Sequence, residues 1–113
     1  MSEDLIFKIK ADFLKALSHP VRLAIIEQLK NGPVSVGQIV KSLGLEQSGV
    51  SKHLSILREA GIVASRQEKV TVYYSIKDKD IFKVLRPISE ILRKNLQAST
   101  QVLKHLGKIK NST

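Results

Sequence analysis

Apolar residues recur along this chain at two spacings, and the change of spacing marks its elements. Between Asp4 and Leu17, the residues Leu5, Ile6, Ile9, Phe13, Leu14 and Leu17 step mostly by threes and fours, which predicts a helix over 4–17. Phe7 and Ala11 widen that stripe. In "SHPVRLAIIEQLKNGP" the pattern restarts. Pro20 suits a first helical position, Leu23, Ile25, Ile26 and Leu29 form the expected buried face, and Asn31-Gly32-Pro33 stops the helix. Ser35 to Leu43 reads as a short helix, with Ser35 and Gln38 in a capping-box pattern, Ile39, Val40 and Leu43 inward, and Gly44 at its end.

After a turn of Gly44, Leu45 and Glu46, the stretch "LEQSGVSKHLSILREAG" carries the next helix, and Gly61 is placed for the left-handed residue past its end. At about 100° per residue, Gln47, Ser48, Ser51, Lys52, Ser55 and Arg58 share one arc. Val50, Leu54, Ile56, Leu57 and Ala60 fall on the other. Alternation then replaces the helical period. Ile62 to Arg66 and Val70 to Ile76 are the predicted strands, with Val70, Val72, Tyr74 and Ile76 on one side and Gln67-Glu68-Lys69 as the hairpin tip.

The last stretch, Asp80 to about Leu106, is the longest predicted helix. Ile81, Leu85, Ile88, Leu92, Leu96, Leu103 and Leu106 form one stripe, and Val84, Ile91, Ala98 and Val102 a second beside it. Two adjacent stripes exceed what one small core needs, so one is expected to pack on this chain and the other on a second copy. Pro87 should kink or restart the helix. The first few residues and the tail from Lys108 to Thr113 read as loose, and no internal repeat appears.

Composition narrows the class. The 113 residues carry 19 Lys plus Arg against 10 Asp plus Glu, a net charge of +9, which favours a polyanionic partner, nucleic acid before an anionic membrane surface. There is no cysteine, so disulfides, thiolate metal sites and thiol switches are excluded. No apolar run approaches a membrane span, and MSEDLIFKIK lacks a signal peptide's order of charge and apolarity, so a cytoplasmic location is the expectation. The six glycines build no phosphate-cradling loop, and no serine or carboxylate pair stands near a histidine in a catalytic pattern. No enzyme and no cofactor are expected.

The order of elements is that of a winged helix-turn-helix: helices, a short helix–turn–helix pair over 35–60, a two-stranded wing over 62–76 and a long final helix, all in one mainly α domain (α+β) over 1–113. In that geometry the second helix of the pair enters the DNA major groove. Short hydroxyls let the backbone approach, Gln47 can pair with adenine, Ser48, Ser51 and Ser55 can reach bases or phosphates, and Lys52 and Arg58 can neutralise phosphates. No acid follows Glu46 in the first two turns, unlike the mixed face of a merely solvated helix. Arg66 and Lys69 on the wing are candidates for phosphate or minor-groove contact, or else an ordinary charged turn. His53 sits on the apolar side and reads as a packed histidine bonded to backbone, His19 as a cap before Pro20, and His105 alone makes a poor metal site.

With "LKALSHPVRLAIIEQL", "GLEQSGVSKHLSILREAGIV" and "VYYSI" in this order, the chain resembles the ArsR/SmtB family of transcriptional repressors from about Phe13 to Asp80. The resemblance implies a winged-helix homodimer joined through its first and last helices, here Ile6, Ile9 and Phe13 with Ile88, Leu92, Leu96 and Leu103. It implies an inverted-repeat operator in double-stranded DNA, contacted by Gln47, Ser48, Ser51 and Lys52, and an inducer that loosens binding. The family's metal sites do not carry over. "SVGQIVKSL" lacks the cysteine pair of one site, and Phe82, Arg93 and Leu96 stand where the other, which would begin at Asp80, needs ligands. Glu46 replaces the usual cap, and the wing tip lacks the common glycine. The expected function is therefore a dimeric, sequence-specific DNA-binding regulator, a repressor, with no metal and an effector the sequence does not name. A winged-helix protein-interaction module and a sequence-neutral DNA binder are the alternatives.

Overall fold

A computed structural model describes residues 2–111, with side chains as far as Gly107. The chain forms two compact units, Met1–Lys79 and Asp80–Thr113. The first unit holds α1 (Glu3–Leu17), α2 (Pro20–Gln28), β1 (Val34–Ser35), α3 (Val36–Leu43), α4 (Gln47–Glu59), β2 (Val63–Glu68) and β3 (Thr71–Ile76). The second is α5 (Ile81–Asn111).

Local chemistry sets most helix ends. Ser2 caps α1 by accepting from the Leu5 N–H at 3.2 Å, and Glu3 and Asp4 in its first turn complement the helix dipole. His19 caps α2, its Nδ1 accepting from the Val21 N–H at 3.1 Å, with Pro20 as the first helical residue. Ser35 caps α3 by accepting from the Gln38 N–H, and Gly44 closes it at φ +65°. Past α4, Gly61 at φ +77° donates to the Arg58 carbonyl and Ile62 to that of Leu57, a Schellman motif whose apolar pair, Leu57 and Ile62, is buried.

α4 is the hub of the first unit. It packs on α1, α2, α3 and β2. Its buried face of Val50, Leu54 and Leu57 meets a core that includes Leu17, Ile25, Ile26, Leu29 and Ile39. Each such side chain contributes about 1.5–3 kcal/mol by leaving water. Among the described residues, no buried side-chain polar atom lacks a hydrogen-bond partner.

Several expectations need correction here. The wing belongs to a three-stranded antiparallel sheet, order β1-β3-β2, in which Val34 pairs with Tyr74 and Ser35 with Tyr73. β1 has two residues and no period to read. The hairpin is also longer than expected. Glu68 pairs with Thr71, so the tip is Lys69-Val70 and not Gln67-Glu68-Lys69. Val70 is consequently 95% exposed, whereas Tyr74 is buried and Val72 and Ile76 are half-buried. Leu23 is 42% exposed because it lies roughly 110° round α2 from the arc of Ile25, Ile26 and Leu29. α5 runs through Pro87 without a restart and on through Lys108 to Asn111, so that part of the expected loose tail is helical; Ser112 and Thr113 lie outside the described residues.

The expected pairing residues are largely uncovered within one chain. On α1, Ile9 is exposed and Ile6 and Phe13 are half-buried. On α5, Ile88 and Leu92 are exposed, and Leu96 and Leu103 are each 68% exposed. Among the described residues, no helix is long and apolar enough to cross a membrane.

Candidate nucleic-acid interface

α4 presents its two arcs as the sequence orders them. With Val50, Leu54 and Leu57 fully buried, Gln47, Ser48, Lys52 and Arg58 are left exposed and Ser51 and Ser55 half-buried on the outer side. The helix begins without an acid in its first turn, and the Glu46 side chain makes no cap bond. Its unpaired N–H groups and positive dipole end are therefore free to meet an anion.

Gln47 and Ser51 do more than face outward. They line one side of an open groove whose other walls are Ser35, Val36 and Gly37 at the start of α3, and Val70, Thr71 and Val72 of the wing. The sequence reading missed these α3 and wing residues because nothing in a local pattern places them beside Gln47. The antiparallel pairing of β1 with β3 brings them there, since Ser35 is both the last residue of β1 and the cap of α3.

The cations at the wing are partly engaged. Arg58 donates from Nη1 to Ser65 Oγ at 3.3 Å, which ties the end of α4 to β2. Arg66 pairs with Glu68 at 3.3 Å and lies over the Tyr73 ring at 5.9 Å, so its charge is shared and its position held. Lys69 is exposed at the tip and adopts φ +55°, the left-handed conformation a glycine would take without strain. Its carbonyl accepts from Gln67 Nε2 at 3.2 Å.

His53 anchors α4 from beneath, but not through backbone as expected. Its Nδ1 lies 3.1 Å from Arg22 Nη1, and its ring stands 4.3 Å from that of His19, centroid to centroid. The same guanidinium donates to the carbonyls of Ala16 and Lys15 at the end of α1. Three helices therefore meet on one side chain. Burial, followed by the nearby His19, Arg22 and Lys52, holds the His53 imidazole below the ordinary histidine range.

Among the described residues, no three His, Cys, Asp or Glu side chains gather as a metal-ligand set. The arrangement offers hydroxyls, an amide and cations along a convex helix beside a β-hairpin, which are contacts for a grooved polyanion.

Comparison with known proteins agrees with that chemistry. The family model of bacterial regulatory proteins of the arsR family matches residues 19–65. The HTH-type transcriptional regulator Rv0081 of Mycobacterium tuberculosis is 38% identical over 94% of this chain and 94% of its own length. Its crystal structure is similar with a TM-score of 0.78 at 39% identity, covering 88% of this chain and 99% of that one. A homodimeric winged helix-turn-helix DNA-binding domain from Mycobacterium bovis, solved in solution, gives a TM-score of 0.76 at 25% identity over 87% of this chain and 93% of its own. The crystal structure of the transcriptional repressor BigR from Xylella fastidiosa gives 0.67 at 32% identity, over 80% and 96%.

Proposed function

We propose, from the premise that this chain belongs to the arsR family of bacterial regulatory proteins and is a DNA-binding transcriptional regulator, that it works as a homodimeric repressor at an inverted-repeat operator. The observation that carries the reading is the acid-free outer arc of α4, from Gln47 to Lys52, opening onto the groove it shares with the wing. Gln47 reads a base edge in the major groove. Ser48, Ser51 and Ser55 contact bases or phosphates, Lys52 and Arg58 neutralise phosphates, and Arg66 and Lys69 reach the flanking backbone from the wing.

The dimer follows from the uncovered apolar residues Ile6, Ile9 and Phe13 on α1 and Ile88, Leu92, Leu96 and Leu103 on α5, and from the homodimeric state of the Mycobacterium bovis relative. Two subunits then place two α4 helices roughly 34 Å apart, or a multiple of that. Regulation by an effector is not assigned to any residue.

Selection of bound sequences from a random duplex pool tests this reading. The expected product is one palindrome, bound about a thousandfold or more tighter than random duplex by fluorescence anisotropy. Affinity should fall roughly tenfold or more as salt rises several-fold. Binding without sequence preference would favour a sequence-neutral role. No binding at low salt would favour a protein partner for the same surface.

A further inference from the structure

The apolar arc of α5 is interrupted near its centre by one amide. On the helical wheel Asn95 falls in the middle of the arc that carries Val84, Ile88, Leu92, Val102 and Leu106, side chains that are exposed on the single chain. Side-chain hydrogen bonds within α5 run from Ser89 to Leu85, from Arg93 to Glu90 and from Thr100 to Leu96, and Asn95 takes no part in them.

Asn95 is also the point about which the arc repeats. Ile88 and Val102 lie at equal distances before and after it, and Leu85 and Leu106 nearly so. Closer in, bulky Ile91 and Leu92 precede it while small Ala98 and Ser99 follow. Two parallel α5 helices would set Ala98 and Ser99 against their own copies and leave a void, which destabilises an interface. Two antiparallel helices would set Leu92 against the partner's Ser99 and Ile91 against the partner's Ala98, and large would fill small along the seam.

We propose that two copies of α5 pair antiparallel across a twofold axis beside Asn95, whose side-chain amides hydrogen-bond each other and fix the register. The pairing rests on the homodimer reading above. A carboxamide carries both donor and acceptor, so it complements its own copy across a twofold axis. In any slipped register each amide would meet hydrocarbon and lose its partner, which is how one polar residue in an apolar seam selects a single alignment.

The chain has no cysteine, so single-cysteine variants of the full protein report contacts directly. Asn95→Cys is expected to form an intermolecular disulfide under mild oxidation, because facing Cα atoms of a close helix pair lie within its reach of about 7 Å. Ser99→Cys alone is not, since the two copies stand about 12 Å apart along the axis, but mixed with Leu92→Cys it should cross-link. Arg93→Cys, on the opposite arc, is the control. Self-cross-linking of Ser99→Cys, equal rates for Asn95→Cys and Arg93→Cys, or no Asn95→Cys disulfide in a protein that light scattering shows to be a dimer overturns the pairing and leaves the dimer standing. A wild-type monomer at micromolar concentration removes the dimer reading itself. Adding Asn95→Leu to Ser99→Cys should let Ser99→Cys cross-link as slipped registers open; an unchanged pattern overturns the register role.

Discussion

The Arg22 Nη1 and His53 Nδ1 atoms stand 3.1 Å apart, joining α2 to the outward-reading helix α4. A guanidinium is only a donor, so the imidazole accepts, and it can do so only while Nδ1 is unprotonated. Arg22 is held in turn by the carbonyls of Lys15 and Ala16, so the orientation of α4 is coupled to the end of α1 through one charged side chain.

A dependence of stability on pH follows from the depressed His53 titration. The unfolded chain takes up its His53 proton near the ordinary value of about 6.5, while the folded chain resists it. The contribution is complete above that pH, declines as pH falls below it, and levels off once folded His53 itself protonates. Urea midpoints followed by circular dichroism should therefore drop between pH 7.5 and 5.5 in the wild type, and drop less in His53→Gln. Equal drops in both proteins would remove His53 as the source.

On the groove side of α4, Ser51→Glu sets an acid beside Gln47 without touching the core. DNA affinity should fall by about 100-fold or more, a loss of roughly 3 kcal/mol, with the melting temperature and oligomeric state unchanged. Anisotropy at fixed low salt reads the first and light scattering the second. Undiminished affinity would take this helix out of DNA recognition.

The start of α4 is open to improvement. Glu46 has the extended backbone of a cap, at φ −70° and ψ 145°, yet makes no side-chain cap bond. Glu46→Ser should stabilise the fold by about 0.5–1.5 kcal/mol, because the shorter hydroxyl can accept an N–H from the first turn. Chemical denaturation measures it, and a neutral or lower stability would show that the open helix end is already satisfied by solvent.

At the other end of α4, Gly61→Ala should cost about 1–2 kcal/mol. Nothing lies within 4 Å of the added methyl, so the whole effect comes from the φ of +77° that the Schellman motif requires. A change near zero by denaturation would mean that the chain leaves this helix end in another way.

The sequence by itself determined the helices, the two arcs of α4 and the nature of its outer face. Those features depend on residues three and four apart, and a period survives in one dimension. It also determined the cap at Ser35 and the left-handed stop at Gly61, which are set by side chain and backbone within one turn. Tertiary structure alone decided what lies beside that face. A two-residue β1 carries no pattern, yet its pairing with β3 sets the start of α3 against the wing and makes the groove at Gln47. It also decided that His53 meets Arg22, 31 residues away, since a contact between distant segments depends on how buried helix faces pack and leaves no mark on either segment's own periodicity.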